Sequence, residues 1–268
     1  MMDFYLKVEF VDGEECKMVH TRSDREIDLI SKSCQIVADT LEMLSKHIIP
    51  GVALKTLDRM AEDFIIDRGA RPAFKGYMGY PATLCISVND VVVHGIPTDE
   101  TLKKGQIVGI DCGAELDGYY GDHARTFSVG TIGPEKEKLM RVTRESLERG
   151  IEQAIPGNYV GDIGNAVQSH AEENGFSVVR ELVGHGIGTE LHEEPQIPNY
   201  GNPKQGYQLK EGMVIAIEPM INMGEKEIFT GQDGWTIFTK DGQDSAHYEH
   251  TIAITNNGPV ILSHLTSN

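Results

Sequence analysis

Apolar positions recur along this chain in two rhythms, helical and extended, and the alternation between them occurs twice. Ile27, Ile30, Cys34, Val37, Leu41, Leu44 and Ile48 follow one another at steps of three and four, which predicts one apolar stripe on a long helix. Ser23 and Glu26 have the spacing of a capping box at its start, and Pro50-Gly51 predicts its end. Leu54, Leu57, Ala61 and Phe64 predict the inward face of a second helix, closing near Gly69. Residues 70–130 read as strands over 84–93, 106–112 and 126–129, with turns at Lys104-Gly105 and Leu116-Asp117-Gly118. The helical period returns from Glu135 through Leu139, Val142, Leu147, Ile151 and Ala154 to Pro156-Gly157. A further helix runs to about Asn174-Gly175, and strands follow to the end. Ahead of Ser23, Phe4, Leu6, Val8 and Phe10 alternate with Tyr5, Lys7, Glu9 and Val11 before Asp12-Gly13. That period of two predicts a strand and turn, extending as a hairpin through Cys16 to Val19, which covers an edge of the main fold and carries no chemistry.

The repetition goes beyond element order. Ile49-Pro50-Gly51 recurs as Ile155-Pro156-Gly157, and Gly69 recurs as Gly175 at the same offset. Leu102 to Asp111 recurs as Leu209 to Glu218, one residue further along. Each match is weak alone; three in register point to an α+β fold of two halves related by a pseudo-twofold axis. The reading divides the chain into an N-terminal extension, 1–22, and a single domain, 23–268, with halves of about 23–133 and 134–268. Such an arrangement forms a site between the halves, where strand ends face each other. The competing reading is two independent helix-and-strand units with no shared site.

Composition narrows the function classes. A chain of 268 residues with formal charge -17 is a poor non-specific nucleic-acid binder. No apolar run is long enough to cross a bilayer, and Met1 to Lys7 lacks the pattern of a signal peptide. A cytoplasmic location is expected. Cys16, Cys34, Cys85 and Cys112 show no paired zinc spacing, which fits a reduced compartment.

The acidic excess includes residues in unusual places. Asp111 and Glu218 each close an apolar run, Ile107 to Ile110 and Met213 to Ile217, and so read as carboxylates at the ends of buried strands. Asp122 and Glu249 read as lying just before strands. A buried carboxylate is costly unless paired or bound to a metal. His185, flanked by Gly184 and Gly186, adds an imidazole on a tight backbone path, with His192 close behind. Any one of these residues reads equally as a solvated surface group. Together, four carboxylates and one imidazole form a ligand set for two divalent ions, with two carboxylates bridging. Hard oxygen donors with one histidine favour Mn, Fe or Co and accommodate Zn.

At this point the sequence resembles a known family. Asn89-Asp-Val-Val-Val-His94-Gly-Ile-Pro97, Asp111, Gly121-Asp122, Gly184-His185-Gly-Ile-Gly188, His192-Glu-Glu-Pro195, Ile217-Glu218-Pro-Met220 and Tyr248-Glu249-His-Thr251 are together similar to bacterial type I methionine aminopeptidase, of peptidase family M24. The resemblance runs from about residue 23 to the end. It implies the pita-bread fold and hydrolytic removal of the initiator methionine from nascent proteins and peptides, with small second residues preferred. It implies that Asp111 and Asp122 hold one metal, that His185 and Glu218 help hold the other, and that Asp122 and Glu249 bridge both. Glu218 would also shuttle the proton of the attacking water. His94 and His192, free of metal, would bind the scissile amide and stabilise the tetrahedral oxyanion. Phe74, Tyr77, Tyr80, Cys85, Leu191 and Trp235 would line the methionine pocket, an aromatic slot suited to a thioether. Asn89, Val91 and Ser245 would bind a monovalent cation, as in some members. Partners implied are N-terminal Met peptides, nascent chains and a transient ribosome contact, with the enzyme a monomer and neither DNA nor a membrane involved.

The departures are local. The segment before Ser23 is longer than in the shortest bacterial members, Phe74 and Met78 stand where other members have different residues, and no zinc-finger extension is read ahead of the domain. The interval from Glu218 to Glu249 leaves no room for the helical insertion of type II enzymes. Two other functions compete: a proline-specific aminopeptidase or dipeptidase of the same fold, whose members usually carry a sizeable N-terminal domain, and a non-enzymatic binding protein that has lost its metal ligands.

Overall fold

The structure, a computed structural model, describes residues 19–265. The hairpin expected over Phe4 to Val19 lies almost wholly outside the described residues. Helix α1 spans Asp24–Ser45 and starts as its sequence predicts: the Glu26 N–H donates to Ser23 Oγ at 3.4 Å, and the Ser23 N–H to Glu26 Oε2 at 2.8 Å. It stops five residues before Pro50, where the His47 N–H turns back to Leu44 O at 2.8 Å. Helix α2 spans Leu54–Ile66. Its inward face differs from expectation at one place: Ile65 is fully buried, while Phe64 is half-buried with the Arg68 guanidinium 3.3 Å over its ring. Helices α3, Pro134–Glu152, and α4, Val160–Glu173, form the corresponding pair in the second half.

The repeat seen in the sequence is a repeat of backbone hydrogen bonds. The Gly51 N–H donates to Leu102 O at 2.8 Å and the Leu102 N–H returns to Val52 O at 2.9 Å. In the second half Gly157 donates to Leu209 O at 3.0 Å and Leu209 to Asn158 O at 2.7 Å. Gly51 and Gly157 both have φ of 94°, a conformation that costs a side-chain-bearing residue dearly. Each helix pair is thus clamped to the loop that feeds the strand carrying a carboxylate.

In the first half that strand is longer than its sequence suggests. Ile107–Leu116 and Tyr119–Ser128 form a continuous antiparallel hairpin about Asp117-Gly118, in unbroken register from Ile107 opposite Ser128 to Leu116 opposite Tyr119. Asp111 therefore lies in mid-strand, not at its end, and Asp122 lies within a strand, not before one. Asp122 stands opposite Gly113, which shares a face with Asp111 two residues away. The two carboxylates are thus diagonal neighbours on one face. The second half forms a five-stranded antiparallel sheet in the order Gly258–Ile261, His250–Thr255, Val214–Ile217, Gly184–Gly186, Glu193–Ile197. Its Thr251 hydroxyl donates to Asp122 O at 2.8 Å, and the Glu249 N–H donates to Ala124 O at 2.9 Å. These bonds close the two halves on each other. Val37, Leu41, Leu57 and Ile110 fill the core of one half, and Ile163, Ile215, Ile217 and Ile252 that of the other. Each such side chain contributes about 1.5–3 kcal/mol on burial.

Candidate active site

The seam between the halves gathers the acidic residues. Asp122, His185 and Glu249 are buried and offer ligand atoms within 4.8 Å of one another. His185 Nδ1 lies 2.9 Å from Gly186 O, which leaves Nε2 facing the cavity, 3.6 Å from Glu218 Oε1. Fixing one ring nitrogen on a carbonyl in this way sets the tautomer that presents the other as a ligand. Glu218 follows directly on the Val214–Ile217 strand, and its carbonyl is held by Asn199 Nδ2 at 3.0 Å. Asp111 Oδ1 and Glu249 Oε1 are buried and accept no hydrogen bond.

That arrangement is electrostatically incomplete. Burial pushes the carboxyl groups of Asp111 and Glu218 up to about 7. Burial, then the neighbouring carboxylates, pushes Asp122 and Glu249 well above the usual carboxylate range. Four carboxyl groups in one dry seam cannot all be ionised without a compensating charge. Orphaned carboxylate oxygens with one imidazole suit divalent cations of the hard or borderline kind. The residues present therefore fit a metal centre.

A cavity of about 140 Å³ opens onto this cluster. Every residue assigned above to metal, chemistry or the methionine side chain lines it. The acids and His185 form one end, and Phe74, Tyr77, Tyr80, Cys85, Leu191 and Trp235 stand among the apolar lining. Tyr80 and Trp235 meet edge to face at 5.0 Å, and the Tyr80 hydroxyl is tied to the carbonyls of Leu84 and Gly95, each at 3.0 Å. His192 lies edge-on to His185 at 4.4 Å, with its Nδ1 2.9 Å from the Tyr77 hydroxyl. His94 has φ of 58°, a left-handed backbone that turns its ring off the end of the Val91–Val93 strand. Burial lowers His94 to about 4 and His192 well below the usual imidazole range, so both rings are neutral at pH 7.

Met78, Val93, Leu182, Val183 and Met220 also line the cavity and were not assigned from sequence. His247 is the more consequential omission. Its ring is buried, and its Nε2, which has no hydrogen-bond partner, lies 3.5 Å from Glu218 Oε2. Glu218 thus stands between two imidazoles. His247 ends the Ser245–His247 strand two residues before Glu249, near enough in Ala246-His247-Tyr248-Glu249 to be read with it. The corner of Asn89, Val91 and Ser245 already holds a positive charge: Lys136 Nζ lies 2.9 Å from Asn89 Oδ1 and 3.2 Å from Asp244 Oδ1.

Two α+β halves closed on a buried carboxylate–imidazole cavity define the class as the pita-bread metallohydrolases. The family model for metallopeptidase family M24 matches residues 28–256. A methionine aminopeptidase of Clostridium perfringens is 52% identical over 92% of this chain and 99% of its own length. Methionine aminopeptidase 1 of Bacillus subtilis is 50% identical over the same shares. The crystal structure of methionine aminopeptidase from Rickettsia prowazekii superposes with a TM-score of 0.91 at 41% identity, covering 92% of this chain and 100% of that one. The chain belongs to metallopeptidase family M24 and, within it, to the methionine aminopeptidases, which are metalloaminopeptidases.

Proposed function

We propose that residues 23–268 act as one catalytic domain that removes the initiator methionine from nascent chains and peptides with a small second residue, in the cytoplasm and as a monomer. One observation carries the reading: the acid–imidazole cluster and an aromatic slot of the right chemistry for a thioether share a single cavity. Asp111, Asp122, His185, Glu218 and Glu249 would hold two divalent ions, with Mn, Fe, Co and Zn all compatible with the donors. Such ions supply Lewis acidity and make hydroxide available near neutral pH. A monovalent cation beside Asn89, Val91 and Ser245 would share its corner with the ammonium group of Lys136.

The chain's own groups divide the remaining work. The aromatic slot takes the methionine side chain and sets the scissile carbonyl against the acids. Glu218, flanked by His185 and His247, accepts the proton of the attacking water and returns one to the leaving amine as the C–N bond breaks. His247 positions that carboxylate. With the Tyr77 hydroxyl donating to Nδ1, neutral His192 keeps its proton on Nε2 and donates it to the developing oxyanion. Neutral His94 holds the scissile amide. The test is hydrolysis of Met-Ala-Ser against Ala-Pro peptides by the metal-loaded protein. Cleavage of the first alone is expected; preference for the second would replace this reading by a proline-specific one.

A further inference from the structure

The segment ahead of α1 ends in a buried guanidinium. The side chain of Arg22 is 6% exposed and that of Glu193 is 7% exposed. Arg22 Nη2 donates to both Glu193 oxygens, at 2.5 Å to Oε1. The same Oε1 accepts the backbone N–H of Thr189 at 2.8 Å and of Glu190 at 3.0 Å, and the Thr189 hydroxyl at 3.3 Å. Glu193 therefore folds residues 188–193 back on their own backbone. Arg22 is itself immobilised: its N–H donates to Gly212 O at 2.7 Å, and it directly precedes Ser23, the cap of the 22-residue α1. Its guanidinium lies against Gly188, where a Cβ would come within 2.4 Å of Nη2.

An ion pair this deeply buried is a poor source of net stability, because desolvation offsets the attraction. What it fixes is geometry. The loop it fixes carries Leu191 and His192, and His192 is bonded directly to Glu193. We infer that Arg22, acting through Glu193, is a positioning residue for His192: it holds the backbone from which that imidazole reaches Tyr77 and the cavity. The inference rests on the role given to His192 above. It also gives the end of the N-terminal extension a part in the chemistry, where the sequence predicts only cover for an edge.

A double-mutant cycle on the full chain tests it. Arg22→Met keeps the bulk of the stem and removes every side-chain donor; Glu193→Gln keeps the shape and removes the charge. Each is made alone and in a His192→Ala background, and kcat and KM on Met-Ala-Ser are measured beside metal content. Either single change is expected to lower kcat about ten- to a hundredfold, the cost of misplacing a catalytic group by roughly 1 Å. Metal content should be unchanged, and the loss should shrink to less than about twofold once His192 is alanine. A side chain that merely supports the fold would lower kcat equally in both backgrounds, and that result would overturn the inference. Arg22→Met at wild-type kcat beside an impaired His192→Ala also overturns it and leaves the His192 reading standing. His192→Ala at wild-type kcat removes that reading and the inference with it. Should Arg22→Met fail to fold, the Glu193→Gln cycle decides the matter alone.

Discussion

The two halves of the chain share a frame and differ in what they hang on it. In each, a helix pair is clamped by the same two hydrogen bonds to the loop before a carboxylate-bearing strand. The first half then runs into one long hairpin, and its Asp111 and Asp122 are rigid diagonal neighbours in mid-ladder. The second half breaks its strands short, and Glu218 and Glu249 emerge at strand junctions beside His185 and His247. Duplication supplied two acid-bearing scaffolds; divergence put the imidazoles that flank Glu218 on one side only. The first half therefore reads as a rigid anchor for cations alone, and the second as the side that both holds cations and moves protons.

The largest test of that contrast is Glu218→Gln, which keeps size and polarity and removes the proton carrier. Turnover should fall by at least about 10³-fold with the fold kept, within the range of lost general acid–base catalysis. His185→Ala should abolish turnover similarly while also lowering metal content. Wild-type rates in either purified variant would contradict the asymmetry. A smaller loss, about 10²–10³-fold in kcat, is expected for His192→Ala, the size of one lost oxyanion donor. Its metal content should stay near wild type; loss of metal would place that imidazole among the ligands.

Metal removal gives a test in stability. Asp111, from the first half, and Glu218, from the second, are both raised to about 7 in the metal-free fold. Between the ordinary carboxylate range and about 7 the folded state binds protons that the unfolded chain has released. This contribution to stability is full at low pH and is lost as pH rises through about 7. Divalent ions take the place of those protons. The rise in thermal midpoint on adding metal to chelated protein should thus be greater at pH 8 than at pH 5.5. An equal rise at both would mean that the carboxyls do not carry these protons.

The smallest effects sharpen the shared frame. Gly51→Ala and Gly157→Ala each force a side chain into the same left-handed turn, at roughly 1–2 kcal/mol each. Urea midpoints should fall alike for the two, with kcat unchanged; a large difference between them would show that the clamps are not equivalent.

The frame was legible because its signals are local. The capping box at Ser23, the stripe of α1 and the paired Pro-Gly turns each depend on residues a few positions apart. The gathering of acids around one imidazole was legible through short motifs around His185, Glu218 and Glu249. What escaped has long-range causes. The Asp111 strand runs on past Gly113 because Arg71-Pro72 pairs with it at Glu115 and Ala114, and Gly113 leaves room for the Phe74 ring, within 2.6 Å of where a Cβ would stand. Gly121 likewise admits the backbone of α1 at Cys34, a contact across 87 positions that no local rhythm announces. His247 belongs to no local motif: only the fold brings its ring to Glu218, 29 positions away in sequence.

The central claim, that both halves converge on a pair of cations, is tested most directly by anomalous diffraction from crystals grown with Mn(II). Two peaks about 3.5–4 Å apart, lying between Asp122 and Glu249 with His185 and Glu218 on one flank, are expected. A single peak, or peaks bound by only one half, would contradict it.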